Sequence, residues 1–214
     1  MTTTAQVKEA LIPLLARHSD LVLIGRFLIV KPLHHILRGV FVDRSSDKRS
    51  FEPHIVTYPL VPAQKDIMLG WNPVWLFDQS VGMWDVTKPD TVTAMRNHIE
   101  GIALPRLRAI KTFDDYIAHE RTKSTTFDGH FDDRIFTNIF VAAALGDFSK
   151  ALQLRPQDTR IEPYFTKVAP DFFPALEASE REFIAKTLHQ WEEATVKAHK
   201  MEHIWERTPF PLEL

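Results

Sequence analysis

The sequence predicts an α+β fold in which strands and helices are segregated along the chain. Three segments between residues 21 and 60 are rich in Val, Ile, Leu and Phe and are separated by turn formers, as in an antiparallel sheet. After residue 86 apolar residues recur every three or four positions, which is the helical period. Strands followed by helices, instead of an alternation, are typical of α+β proteins. We therefore predict a single domain over residues 1–214, in which a helix and a sheet of three to four strands (1–86) share their core with a mainly helical half (87–214).

The front part is predicted to begin with an amphipathic helix over residues 4–18. Thr3 and Gln6 have the spacing of a capping box, and apolar residues follow at helical spacing. Pro13 lies inside this stretch and predicts a kink or a later start, because proline has no backbone N–H.

The predicted strands are Leu21–Val30, Ile36–Asp43 and Phe51–Leu60, with Ile67–Trp71 as a candidate fourth. Prolines within and after the third strand predict that it lies at a sheet edge or is bulged, since proline cannot donate to a ladder.

In the helical half, proline and capping residues predict where helices begin and end. Pro105 is predicted to break a helix that begins near Thr87, and Gly146 to end a later one. The last helix, capped by Ser179 and Glu182, is predicted to continue for about 28 residues, or roughly 42 Å. Because a small domain is narrower than that, we expect this helix to project or to form a homodimer or partner contact.

The composition excludes several classes of site. The chain has no cysteine, which removes disulfides, thiolate metal sites and a cysteine nucleophile. The seven glycines are too dispersed for a dinucleotide fingerprint or a phosphate-binding P-loop. With 26 basic and 28 acidic residues the formal charge is −2, so no large positive field favours nucleic acid. We therefore predict no cofactor, and we lean away from an enzyme without deciding the question.

The sequence also predicts a cytoplasmic location without membrane insertion. The first twenty residues lack a basic start and a cleavage site, so they do not resemble a signal peptide. The most apolar window, residues 21–30, is about half as long as a membrane span and contains Arg26.

Three short runs resemble an uncharacterised bacterial protein family of unknown function. They are HHILRGVFVDRSS at 34–46, PLVP at 59–62 and LGW at 69–71. The resemblance implies a bacterial, cytoplasmic protein with strands followed by helices. It implies no activity and no catalytic residues.

Aromatic residues cluster between residues 70 and 86. Trp71, Trp75, Phe77 and Trp84 lie there in a proline-containing segment that we expect to cover one end of the sheet. Such residues either close the core or form a binding surface, and the sequence leaves both open.

A second candidate site is the acidic run around Asp128, His130, Asp132 and Asp133. Carboxylates and an imidazole this close in sequence could hold a divalent cation. They could equally cap the helix that begins near Phe131 or lie in solvent, and this second interpretation is favoured.

Histidines elsewhere form two further groups, for which structural roles are favoured. His199 and His203 have the spacing of one helix face, and His189 lies near the same face, but two ligands do not make a zinc site. His34 and His35 precede a predicted strand, and His54 lies in the next one, with no carboxylate identified to orient any of them. Alternating charges between Arg38 and Arg49 are typical of a solvated hairpin.

The sequence leaves two hypotheses of function. The first is a non-catalytic interaction protein, an adaptor or an immunity-type binder, whose partner contacts the aromatic segment or the last helix. The alternative is a divalent-metal-dependent hydrolase, or another small-molecule enzyme, built on the acidic run.

Overall fold

The computed structural model confirms the α+β fold class. It describes residues 2–45, 47–65, 74–123, 133–155 and 167–214, without the side chains at 123 and 133–137. The chain forms two compact units, Met1–Tyr58 with Asn72–His119, and Pro59–Trp71 with Glu120–Leu214. The sheet belongs to the first unit. The single domain remains a prediction.

The first unit contains six strands and four α-helices among the residues that the structure describes. They are α1 (Thr4–Arg17), β1 (Leu21–Ile24), β2 (Phe27–Val30), β3 (Ile36–Arg44), β4 (Ser50–Pro59), β5 (Val74–Trp75), β6 (Trp84–Asp85), α2 (Pro89–His98), α3 (Leu104–Ala109) and α4 (Phe113–Lys123). The predicted capping box at the start of α1 is confirmed, since Gln6 N–H donates to Thr3 Oγ1 and Thr3 N–H donates to Gln6 Oε1. The helix continues through Pro13.

The strands form one sheet in the order β1-β2-β3-β4-β5, and β6 also pairs with β4. The pairs β1–β2, β2–β3, β4–β5 and β4–β6 are antiparallel. Strand β4 therefore lies inside the sheet, so the edge position, one of the two alternatives predicted from its prolines, is wrong. The candidate fourth strand, Ile67–Trp71, falls almost wholly on residues outside the described ranges.

One face of the sheet packs against α1, α2 and the turn that follows α2. Leu11 and Leu14 of α1, Val40 of β3, Phe51 of β4 and Met95 of α2 are all buried in this core. Trp84 joins them and is 1% exposed. The amphipathic pattern that predicts α1 therefore also determines which face of the sheet is covered.

Pro105 widens its helix where the sequence predicts a break. Residues Ile99–Ala103 form a π-helical turn, in which Leu104 N–H donates to Ile99 O, and α2 and α3 continue on either side. Proline has no N–H and its ring crowds the carbonyl four residues earlier, which is that of Gly101. A wider turn avoids this clash without ending the helix.

The second unit contains further helices packed around aromatic residues. They are α5 (Asp133–Ala144), α6 (Phe148–Gln153), α7 (Phe172–Glu177), α8 (Arg181–Ala198) and a short 3₁₀ turn (Pro211–Glu213). The rings of Phe140, Phe172 and Trp191 lie with their centroids 5.1–5.3 Å apart. Thr195 Oγ1 donates to Leu60 O at 2.8 Å and so ties α8 to the segment after β4.

The last helix is shorter than predicted, because it ends at Ala198. Lys200 has a φ of +57°, and Met201 N–H donates to Val196 O, which together form a Schellman helix end. A lysine here gives no stop signal in the sequence, unlike Gly146, which ends α5 as predicted. Ser179 is likewise the left-handed residue after α7 and does not cap α8. The length that suggested a projecting dimer helix is therefore absent.

Within the described ranges, no helix combines the length and the apolar character that crossing a bilayer requires.

Candidate functional site

Strand β5 and the residues that follow it place two exposed aromatic side chains on the sheet face opposite the core with α1 and α2. Trp75 and Phe77 are 45% and 43% exposed, whereas Leu76 between them is buried. Successive side chains of an extended segment point to opposite faces, so Trp75 and Phe77 share one face. Their ring centroids lie 4.9 Å apart.

After Leu76 the chain leaves the sheet in a small hairpin and returns at β6. Val81 and Gly82 N–H both donate to Asp78 O, and Gly82 has a φ of +73°, as in a type I turn closed by a left-handed glycine. Asp78 and Gly82 form an antiparallel bridge. The next opposed pair is Phe77 and Met83, and opposed side chains point to the same face.

Trp75, Phe77 and Met83 therefore form one exposed apolar group, which we call the aromatic surface. Met83 is 42% exposed, close to the values of the two rings. The other exposed large apolar side chains in the described ranges are Ile12, Ile102, Val168, Phe183 and Leu214, which are scattered along the chain. A single exposed apolar side chain needs no explanation, but a contiguous group indicates a contact surface.

A tryptophan beneath the hairpin anchors the aromatic surface to the sheet. Leu76 N–H donates to Pro53 O at 2.9 Å, but Pro53 has no N–H to return to Leu76 O. Trp84 Nε1 supplies that donor at 2.7 Å. The missing N–H of Pro53 is thus compensated by an indole. Trp84 is buried in the core, which is one of the two roles that the sequence left open for this residue.

The hairpin is also fixed from its inner side. Asp78 Oδ1 accepts hydrogen bonds from Ser80 N–H and Oγ, and its other oxygen lies 3.4 Å from His98 Nε2. These donors, above all the Ser80 hydroxyl, hold the pKa of Asp78 below its ordinary value. The His98 ring lies 5.3 Å from that of Trp84. The loop that carries Phe77 and Met83 is therefore held at its base.

His54 of β4 lies directly opposite Trp75. The hydrogen bond from Leu76 N–H to Pro53 O makes these two residues a hydrogen-bonded pair of the ladder. The next pair, His54 and Trp75, is therefore a non-hydrogen-bonded pair, in which opposed side chains approach most closely. His54 Nδ1 is buried and has no hydrogen-bond partner in the described structure. Burial lowers the pKa of His54 below its ordinary value, although the charges of Asp43 and Glu52 oppose this effect.

The predicted site residues thus have different outcomes. Trp75 and Phe77 form an exposed pair, Trp84 is buried, and Trp71 lies outside the described residues. Asp128, His130 and Asp132 also lie outside them, and Asp133 begins α5 with a side chain that is not described. Among the described residues, no three His, Asp or Glu side chains are placed to hold a metal ion. The metal hypothesis therefore stays a prediction.

The other predicted histidines do not converge. His35 stacks on Phe113 with centroids 5.6 Å apart. His189 is buried and lies 2.9 Å from a carboxylate oxygen of Glu213, whereas His203 on the segment after α8 is exposed. His199 is the residue at the end of α8. His35 and His189 thus hold elements of the fold in place.

The end of α1 holds a histidine–carboxylate pair that the sequence did not predict. His18 Nε2 lies 2.7 Å from Glu100 Oε1, and Arg17 donates to both carboxylate oxygens of the same residue. Glu100 lies on the π-helical turn, more than eighty positions away from α1, so no local pattern could have indicated this contact. The cluster joins the C-terminal end of α1 to that turn. Cations at this end of α1 also interact favourably with the helix dipole.

This cluster should make stability depend on pH in the acid range. The Arg17 guanidinium, followed by His18, lowers the pKa of Glu100 from 4.5 to about 2. A lowered folded-state pKa contributes stability above the unfolded value of 4.5, and that contribution is lost as pH falls through about 2. We expect Glu100→Gln to lower the melting temperature at neutral pH and to differ progressively less from the wild type below about pH 4.5.

Thermal melts of both chains between neutral pH and about pH 3 measure this difference. Glu9→Gln on the exposed side of α1 is the matched control, and it should melt with the wild type throughout. A Glu100→Gln melting difference that stays constant over the whole range would show that the ion pair does not cause it.

Comparisons of the chain with protein-family models, with curated proteins and with solved structures found no match. The resemblance to an uncharacterised bacterial family therefore stays a prediction.

Proposed function

We propose that this chain is a non-catalytic interaction protein of the cytoplasm, an adaptor or an immunity-type binder, which holds a partner protein on its aromatic surface. The observation that carries the proposal is the convergence of Trp75, Phe77 and Met83 on one face, each more than two-fifths exposed. These residues project from a segment fixed to the sheet by backbone and indole hydrogen bonds.

The chemistry of these side chains suits a protein contact. Binding energy at interfaces concentrates in a few aromatic anchors, and methionine adapts its shape to a partner. Trp75 and Phe77 already contact each other, so a partner meets a surface that needs little further ordering. We place the contact here and not on α8, because Ile184, Leu188 and Val196 of that helix are buried within its own unit.

The test compares the wild-type chain with the double variant Trp75→Ala, Phe77→Ala as bait. A protein recovered only by the wild type is then produced in pure form, and its affinity for both chains is measured by calorimetry. We expect the double variant to bind at least about tenfold more weakly, as interface aromatics usually require. Phe183→Ala removes an exposed phenylalanine from the other unit and should bind as the wild type does.

Two results would contradict the proposal. One is a purified partner that binds the double variant and the wild type equally. The other is a concentration-dependent dimer in sedimentation that the double variant abolishes, because the aromatic surface would then hold a second copy of this chain.

A further inference from the structure

A carboxylate lies next to the aromatic surface. Glu52 precedes His54 by two positions on β4, so their side chains share a face of the sheet, and Trp75 lies opposite His54 on that face. At this spacing the charge of Glu52 acts to raise the pKa of His54, against the effect of burial. Glu52 is half-buried.

Glu52 has no ion pair within the described part of the chain. The other carboxylate whose charge acts to raise the pKa of His54 is Asp43. The charge of Asp43 also raises the pKa of Arg26, whereas that of Arg44 lowers it. Asp43 is thus compensated by Arg26 of the β1–β2 turn. Glu52 is the carboxylate beside the aromatic surface that lacks such compensation.

His54 does not neutralise Glu52. Burial lowers the pKa of His54 below its ordinary value, which favours the uncharged imidazole. The surface therefore presents two aromatic rings and a negative charge, with an uncharged ring between them. A cation over an aromatic face and beside a carboxylate gains from both groups at once.

We infer that the partner segment held on the aromatic surface carries an arginine, whose guanidinium stacks on Trp75 and pairs with Glu52. The inference rests on the proposed function and adds the chemistry of the partner. Arginine fits better than lysine, because its flat group can stack on a ring while its edge donates two hydrogen bonds to a carboxylate. An acidic segment would be repelled by Glu52.

The experiment uses short blocked peptides and the full-length, ¹⁵N-labelled chain. The probe is acetyl-Gly-Arg-Gly-amide, and its matched control replaces arginine with citrulline, which has nearly the same shape and no charge. A leucine peptide tests apolar contact alone. The readouts are the indole N–H signal of Trp75 and the backbone signal of His54 in a titration to millimolar peptide.

We expect the arginine peptide to shift both signals and to bind about threefold or more tightly than the citrulline peptide. Glu52→Gln should weaken binding of the arginine peptide about threefold and should reduce its advantage over citrulline, whereas Glu52→Asp should restore part of it. Trp75→Ala should abolish the shift of the His54 signal. Added salt should weaken the arginine peptide only.

Equal binding of the arginine, citrulline and leucine peptides would overturn the inference, and so would shifts confined to other parts of the chain. The inference can also fail while the proposed function stands. A purified partner that binds wild type and Glu52→Gln alike, but not the variant without Trp75 and Phe77, would leave the protein-binding surface in place and remove only the arginine.

Discussion

Replacing Trp84 with alanine should destabilise the first unit by about 3–5 kcal/mol. The side chain is 1% exposed and packs in the core that contains Leu11, Phe51 and Met95. Its removal leaves a large cavity, and it also removes the only donor described for Leu76 O, which Pro53 cannot supply. Hydrogen exchange of the β4 amides in the native state measures this loss locally.

Trp84→Phe separates the two causes. Phenylalanine refills much of the volume but has no N–H, so Leu76 O remains buried without its donor. We expect a loss of about 1–3 kcal/mol from the missing hydrogen bond and the smaller cavity together. A phenylalanine variant as stable as the wild type would show that the indole hydrogen bond contributes nothing and that packing alone holds Trp84.

The matched control is Trp75→Ala, the same substitution nine positions earlier. Trp75 is 45% exposed, so its removal should cost less than about 1 kcal/mol while it weakens partner binding. Equal destabilisation by both substitutions would contradict the division of the two tryptophans into a structural and a binding residue.

Local patterns explain how much of the fold the sequence predicts. The α1 cap and the strands predicted at Ile36–Asp43 and Phe51–Leu60 depend on neighbouring residues, and their spacing is visible in the chain. The single strand predicted at Leu21–Val30 is wrong, because the chain turns at Gly25, which has a φ of +61°, and forms the β1–β2 hairpin, so the described sheet has six strands and not three to four. The helix end at Lys200 is not visible, because a lysine rarely adopts a positive φ and the tertiary contacts of Met201 must impose it. The helix break predicted at Pro105 is absent for a similar reason, since a π-helical turn can accommodate the proline that an α-helix cannot.

The sequence predicts only part of the candidate site, because the rest depends on long-range strand pairing. The cluster of aromatic residues is visible in the sequence, but the side of the sheet on which each ring lies depends on strand register. Residues 75 and 77 alternate with buried Leu76, whereas Trp84 returns on β6 facing the core. Glu52 and His54 join the site only because β5 pairs with β4 at that register. Register is a long-range property that the chain does not display locally.

A loss of similar size is expected in the second unit on replacing Phe210 with alanine. Phe210 is fully buried, its ring lies 4.7 Å from that of His189, and its N–H donates to Glu213 Oε2 at 2.6 Å. The next turn is attached to α8, because Arg181 donates to Leu212 O. Removing the phenyl ring leaves a cavity under this attachment, so we expect about 3–5 kcal/mol of destabilisation.

Hydrogen exchange of the α8 amides provides the measurement, because the segment that ends in Phe210 packs on that helix. Phe183→Ala is the matched control. Its side chain lies on α8 itself but is 39% exposed, and its removal should cost less than about 1 kcal/mol. If Phe210→Ala accelerated exchange no more than Phe183→Ala, the C-terminal segment would be a peripheral attachment. The Phe210 ring, the Leu212 carbonyl and the Glu213 carboxylate all contact α8, which indicates the opposite, that this segment closes the core of the second unit.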